Sequence, residues 1–371
     1  MVPALMATRV MRDVDVLSRA GLDLETFLDE AADSIARAIP HSAACQSSLD
    51  PSTLLLTGTF KTGRLKGFDE QDHQWGLVEF GTREESSFEA LAHAEVPAMA
   101  VQLQSPDSRR LAGFLRPVYG FGDELRVIAR DGNAAWGGIA LHRDVGEPHF
   151  TQDDVDLGAA LSPLLARGIR SGILTAVVNA PAVIAGPAVI VVDADDQPVM
   201  VSEAAEVRLG ELMMSPDGVS SAAIVSGLIG AARRYSAGEI DRPPRCRVRG
   251  ASGTWLVLYA TTMQGRDGAR GQVAITIDEA SPPEIVPLVI SAFDLTERER
   301  DVVQRVIQGL DTKEIAAAMF LSTYTVQDHL KSVFEKAGVH SRRELIARIF
   351  FDQYVPRMNS PLGPDGWFAS S

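Results

Sequence analysis

Apolar residues recur at helical spacing at Leu24, Phe27, Leu28, Ala31 and Ile35, and Pro40 closes the run. Residues 8–21 carry a shorter polar–apolar stretch that also suits a helix. Residues 53–60, Thr-Leu-Leu-Leu-Thr-Gly-Thr-Phe between Pro51 and Gly63, read as a strand. Residues 69–104 hold helical or irregular segments, among them 86–94, with no clear period. Residues 124–130, the pair Asp131-Gly132 and residues 134–142 predict two strands joined by a tight turn. Thr151 then caps a helix through Val155, Leu157, Leu161, Leu164 and Leu165 that ends near Arg170. Helix, sheet, hairpin and helix over 22–170 predict one α+β domain.

A second pattern occupies 185–279. Residues 188–192, Ala-Val-Ile-Val-Val, read as a buried strand, 193–197 as a polar turn and 198–201 as the returning strand. Ser202 opens a short helix, and 219–235 predict another. Residues 245–249, 255–262 and 271–277 follow as a three-stranded meander with glycine-bearing turns at 250–253 and 265–271. The sum is a small antiparallel α+β domain. Pro282, Pro283 and Pro287 mark its exit as a short, stiff linker, since each proline fixes one backbone angle. Ile285, Val286, Leu288, Val289 and Ile290 make an apolar strip along it.

The last segment, 291–353, is helical throughout. Thr296-Glu-Arg-Glu299, Asp311-Thr-Lys-Glu314 and Ser341-Arg-Arg-Glu344 are capping boxes, and Ser322 caps a further helix that Gly338 ends. Four helices of this kind predict a compact all-α bundle, with glycine- and proline-spotted residues from Pro356 onward, Trp367 included, expected to fray. Residues 312–320 and 323–337 give a short helix, a tight turn and a longer helix, the geometry that lays a second helix in the DNA major groove. Val326, Leu330, Val333, Phe334 and Ala337 face inward, leaving Thr325, Gln327, Asp328 and Lys331 outward. Glutamine can bond adenine, aspartate can accept from cytosine, and lysine can meet a phosphate or a guanine edge. A plain helical packing module would share the spacing.

Charge bears on that choice. The chain has 371 residues with 35 Lys+Arg against 49 Asp+Glu, a net −14, which argues against binding nucleic acid over the whole surface. Residues 291–351 alone hold nine basic and nine acidic side chains, and 1–290 hold 25 against 38. One neutral module is a weak polyanion ligand, so binding as a homodimer on two half-sites is expected.

Other chemistry finds little footing. The two cysteines, Cys45 and Cys246, form no Cys-x-x-Cys pair, and the start of the chain lacks the apolar run of a signal peptide. The uncharged stretch 171–192 is long enough for a bilayer, but Asn179, Pro181, Gly186 and Pro187 make it a linker entering a strand. A cytoplasmic protein without a membrane span is expected. Asp69, Glu70, Asp72 and His73 read as a solvated helix start, and His142 and His149 as surface loop residues. Trp136 and Trp255 read as core or pocket wall. Asp193, Asp195 and Asp196 follow a strand but lack a second strand-end Asp and Lys for phosphoacceptor chemistry. No catalytic set, metal site or cofactor is expected, and the chain is not read as an enzyme.

Asp294-Leu-Thr-Glu-Arg-Glu299, Lys313-Glu-Ile-Ala316, Leu321-Ser322, Thr325-Val326, His329, Phe334-Glu-Lys-Ala-Gly338 and Ser341-Arg342 together resemble the LuxR-type helix-turn-helix signature. The resemblance implies a sequence-specific transcriptional regulator that binds double-stranded DNA. Gln327, Asp328 and Lys331 would then meet bases or nearby phosphates, with Lys313, Ser322, Thr325 and His329 toward the backbone. Leu345, Ile349 and Phe350 on the last helix would form a dimer contact. Family members often carry lysine at Gln327 and glycine at Asp294, so affinity and the entry hinge could differ here. Asp123-Glu-Leu-Arg126, Trp136-Gly137, residues 141–143 and Phe150-Thr151 resemble a GAF sensor domain, a type that can bind small molecules or serve as a dimer scaffold. Residues 185–279 loosely resemble a PAS fold. The alternative is a protein-interaction scaffold or anti-regulator with a degenerate DNA face.

Overall fold

The computed structural model describes residues 4–132, 134–175, 186–213, 220–264 and 270–351. Two compact units divide the chain, one ending at Glu279 and the other beginning at Ala280. The first unit opens with α1 (Ala4–Arg19), α2 (Leu24–Ala36), β1 (Ala43–Leu49) and β2 (Leu56–Gly63). Next come α3 (Asp72–Phe80), α4 (Phe88–His93), β3 (Ala98–Ala100) and α5 (Val101–Gln104). A π-helical turn, Leu111–Leu115, runs into α6 (Arg116–Tyr119), the hairpin β4 (Phe121–Asp131) and β5 (Ala134–Asp144), and α7 (Gln152–Leu174). The strands form one antiparallel sheet in the order β2-β1-β5-β4-β3.

β1 is one element that periodicity does not show. Its sequence, Ala-Ala-Cys-Gln-Ser-Ser-Leu, is small and polar, yet every residue is buried because helices cover both faces of this central strand. The expected strand at 53–60 shifts to begin at Leu56. Leu54 takes a left-handed backbone (φ 63°) and donates its N–H to the Asp50 carbonyl, so 50–55 is the corner between strands.

The same unit continues with β6 (Ala188–Val192), β7 (Pro198–Val201), α8 (Glu203–Met213), α9 (Ser221–Ser236), β8 (Arg245–Arg249), β9 (Trp255–Gln264) and β10 (Arg270–Glu279). The second sheet is again antiparallel, in the order β7-β6-β10-β9-β8. Numbered from its own first strand, each sheet runs 2-1-5-4-3. Most of the turn at 265–271, residues 176–185 of the uncharged stretch, Val219, and Pro356 with Trp367 lie outside the described residues.

Helix α9 packs against α3 as well as against its own sheet. A Cβ on Gly76 would stand 2.4 Å from the Ala223 carbonyl, and one on Gly227 would meet the Phe80 ring at 2.8 Å. Backbone-to-backbone approach of this kind requires glycine. A polar tie joins the same two halves. Asp50 is buried, and its carboxylate accepts the Arg247 N–H at 3.0 Å, Nε at 2.7 Å and Nη2 at 2.6 Å.

The second unit comprises α10 (Pro282–Ala292), α11 (Glu297–Ile307), α12 (Thr312–Met319), α13 (Thr323–Ala337) and α14 (Arg342–Ile346), which runs on as a π-helical turn, Ala347–Phe351. The proline-marked stretch is thus a helix and not a stiff linker. Prolines 282 and 283 sit at its first two positions, where no intrahelical N–H bond is lost. Ser281 donates its N–H and hydroxyl to the Glu284 carboxylate, each at 2.7 Å. Ile285, Leu288 and Val289 are buried, and the helix packs on the turn 347–351. Asp294 then takes a left-handed backbone (φ 57°), the conformation that makes glycine the easiest residue there.

Candidate nucleic-acid interface

The helix pair at 312–337 is built from its caps inward. Asp311 accepts the N–H groups of Lys313 and Glu314 at 2.8 and 2.9 Å, and Glu314 returns the bond to the Asp311 N–H at 2.7 Å. Ser322 Oγ accepts the Thr325 N–H at 3.0 Å, starting α13. Between the helices Phe320 adopts φ 56°, ψ 40°, and its neighbour Leu321 donates to the Ala316 carbonyl at 2.9 Å. A helix-turn-helix corner often holds glycine, and a side chain in this conformation costs roughly 1–2 kcal/mol.

Ile315, Ala316 and Met319 of α12 meet Val326, Leu330, Val333 and Ala337 of α13 as a buried seam. That leaves Tyr324, Gln327, Asp328 and Lys331 exposed, at spacings i, i+3, i+4 and i+7 along one stripe. Lys313 and Ser322 are also exposed, while Thr325 and His329 are half-buried. Thr325 is thus less outward than expected, and its Oγ1 lies 2.9 Å from Ser322 Oγ. Phe334 is half-buried instead of fully inward.

Of the three residues expected at a dimer contact, Leu345 and Ile349 are fully buried and Phe350 is half-buried. Leu345 and Ile349 therefore fill the core within the chain and present nothing to a partner. Arg342, part of the resemblance, donates from Nη1 to the Leu310 carbonyl at 2.6 Å and ties α14 to the turn between α11 and α12.

Tyr324 and Phe320 were not singled out by sequence. Tyr324 is 72% exposed and Phe320 96% exposed. The outward half of the helical period marked Tyr324, whereas only the backbone conformation distinguishes Phe320.

In the first unit, the chemistry of the Asp123-Glu-Leu-Arg126 motif becomes visible. Asp123 accepts the N–H groups of Gln102 at 3.0 Å and Phe150 at 2.8 Å, pinning two segments to β4. Glu124 and Arg126 belong to a buried cycle of ion pairs. Arg110 joins Glu79 (2.8 Å) and Glu124 (3.0 Å), and Arg126 joins the same two carboxylates at 2.7 and 3.0 Å. Burial would raise the Glu124 carboxyl, but Arg110 and Arg126 bring it down to about 2. His142 is not a surface loop residue: it lies buried in β5, stacked on Phe121 at 4.6 Å, and burial takes its pKa down to about 3, so it is neutral. His149 is the exposed one of the pair, 3.5 Å from Asp123.

The acidic stretch near residue 70 also differs from expectation. Asp72 is buried and paired with Lys61, while Asp69 stays exposed, 2.9 Å from the same ammonium. Trp136 and Trp255 are buried in their sheets. Cys45 is buried, which pushes its thiol up to about 11 and makes it inert at neutral pH. Beside the ion cycle lies a cavity of about 40 Å³, lined by Cys45, Trp75, Phe88 and Arg110 among others, with room for a water or two. A cleft of about 330 Å³ opens where Leu54, Phe80, His93, Arg234 and Pro243 converge. Among the described residues no helix is long and apolar enough to cross a membrane.

A model of bacterial regulatory proteins of the luxR family matches residues 294–349. The spore germination protein GerE of Bacillus subtilis is 38% identical over 55 residues, covering 15% of this chain and 74% of GerE. A protein of Mycobacterium tuberculosis described as an HTH-type transcriptional regulator is 50% identical over 52 residues, 14% of this chain and 6% of its own length. The matched segment is thus a small fraction of that longer protein. Among solved structures, the GAF domain of a phosphoenolpyruvate-protein phosphotransferase from Coxiella burnetii aligns with 45% of this chain and 94% of its own, at 14% identity and a TM-score of 0.30.

Proposed function

The chain belongs to the LuxR family of bacterial regulatory proteins, and from that membership we propose that it is a sequence-specific, DNA-binding transcriptional regulator acting as a homodimer in the cytoplasm. One observation carries the reading: α13 buries Val326, Leu330 and Val333 while leaving Gln327, Asp328 and Lys331 exposed on one stripe. Those three side chains would meet base edges or phosphates in the major groove. Lys313, Ser322, Thr325 and His329 lie near enough along the chain to serve the flanking backbone. The reading assigns no catalysis and no cofactor.

Under this reading the first unit senses or dimerises. The first sheet is read as a GAF-like domain and the second as PAS-like, a reading supported by their common strand order. A small-molecule ligand would fit the 330 Å³ cleft by size, whereas the cavity beside the ion cycle would have to open first. With Leu345 and Ile349 buried, a dimer contact on the last helix would fall to Phe350, so the first unit is the main candidate for dimerisation.

The experiment is binding of the full chain to oligonucleotides selected from a random library, compared with unselected DNA across a salt series. A selected site should bind at least a thousand-fold tighter than random duplex, with affinity falling as salt rises. Equal affinity for both would favour the protein-interaction scaffold, whose supporting observation is the net-neutral charge of 291–351.

A further inference from the structure

Large aromatic side chains are seldom left bare on both sides of a turn. Phe320 is 96% and Tyr324 72% exposed, four residues apart across the corner between α12 and α13. Phe320 also holds a left-handed backbone that glycine would adopt more easily, so neither local conformation nor burial accounts for a phenyl ring there. Tyr324 occupies the second position of α13, one turn ahead of Gln327 and Asp328 on the same exposed stripe. In a helix-turn-helix the N-terminal residues of the second helix are the ones that reach base edges.

We propose that Phe320 and Tyr324 form an apolar reading patch for thymine 5-methyl groups, extending the sequence read by Gln327, Asp328 and Lys331. The inference rests on the DNA-binding reading above. The occupant follows from continuity and chemistry. The patch adjoins the polar stripe that would lie in the major groove, and the thymine methyl is the apolar feature that a base pair presents there. A ring beside it removes both surfaces from water, an advantage worth about four-fold in affinity per methyl covered.

The test uses the full chain and its selected site. Each thymine is replaced in turn by deoxyuridine, which deletes only the methyl. For the wild type, at least one replacement next to the bases read by Gln327 should weaken binding about four-fold. Tyr324→Ala should bind the all-thymine site more weakly and be indifferent to that replacement, while Tyr324→Phe keeps the sensitivity. Phe320→Gly should lose sensitivity at a neighbouring thymine, and it places the residue that the left-handed corner favours, so its fold is kept. Wild-type indifference to every deoxyuridine would overturn the proposal while leaving DNA binding intact. Sensitivity that survives in Tyr324→Ala and Phe320→Gly would assign the methyl to another side chain and overturn it equally. A wild type that binds no DNA would instead remove the reading beneath it.

Discussion

Lys336 on α13 donates from Nζ to the carboxylate of Glu299 on α11 at 2.7 Å. The other oxygen of that carboxylate accepts Ser332 Oγ at 2.6 Å, and Glu299 also takes the Thr296 N–H at 2.7 Å. One side chain thus closes the capping box of α11 and braces α11 to the proposed reading helix. Sequence identified the box and its glutamate, but not the brace, whose partners stand 33 and 37 positions along.

That brace predicts a pH dependence. Burial would raise the Glu299 carboxyl, but Lys336, Ser332 and Thr296 hold it down to about 2, from an ordinary 4.5. Its contribution is therefore complete above the ordinary value and lost as pH falls from about 4.5 toward 2. Thermal unfolding of the second unit, followed by helix ellipticity, should show the midpoint dropping across that window. Glu299→Gln should lower stability at pH 7 by roughly 1–2 kcal/mol and flatten the acid dependence. A wild-type midpoint constant from pH 5 to 2.5 would contradict the assignment.

The tie between Asp50 and Arg247 should matter more. Burial raises the Asp50 carboxyl, yet the hydrogen bonds and charge of Arg247 leave it below the usual range. Removing Asp50 takes the counter-charge from Arg247, whose side chain is only 12% exposed, at a cost of about 3–5 kcal/mol. Asp50→Ala should therefore destabilise the first unit strongly in denaturant titration. Asp50→Ala paired with Arg247→Met should recover part of the loss. Additive losses in the double variant would show that the pair is not coupled.

Gly76 and Gly227 test the packing of α3 on α9. A methyl group on Gly76 would meet the Ala223 carbonyl, which cannot move without the helix. Gly76→Ala should cost about 1–3 kcal/mol, in spite of alanine's better helix propensity. Gly113, whose Cβ would meet nothing within 4 Å, is the control. Equal melting points for Gly76→Ala and Gly113→Ala would refute close packing at α3.

On α13, the proposed reading helix, Gln327→Ala and Lys331→Ala should separate. Loss of Gln327 should cost about 1–3 kcal/mol on the selected site and leave random DNA unaffected. Loss of Lys331, if it holds a phosphate, should weaken both DNAs alike and reduce the salt slope by about 1. Equal losses on both DNAs for Gln327→Ala would remove it from the base-reading set.

Much of this fold was legible because its signals are local. The Asp131-Gly132 turn announces β4 and β5, and serine, threonine and aspartate caps announce each helix of 296–346. β1 was hidden because a central strand under two helical layers can be lined with Ala, Cys and Ser, which carry no alternating pattern. The ion cycle was hidden for a different reason: Glu79 and Arg126 lie 47 positions apart, and only the fold brings them within 2.7 Å. His142 stands at the end of the expected strand 134–142, where a polar residue reads as the start of a loop, whereas β5 runs on to Asp144 and keeps His142 inside the sheet. Pro282 and Pro283 looked like a linker because prolines at a helix start and in a stiff spacer are the same residues in different company.

The strand order shared by the two sheets also bears on how the chain reaches this state. In each, the first strand pairs with the last: β1 joins β5 through Cys45 opposite Ala140, and β6 joins β10 through Ile190 opposite Ile275. Such pairings close loops of some ninety residues, which makes them slow to form. During synthesis β1 can take up β2 at once but must wait for residue 144 before its other edge is covered. The small, polar sequence of β1 suits that interval, since an apolar strand left half-paired would recruit neighbouring chains. The composition that concealed β1 from a reader of the sequence is also one that suits a strand whose second edge is covered late.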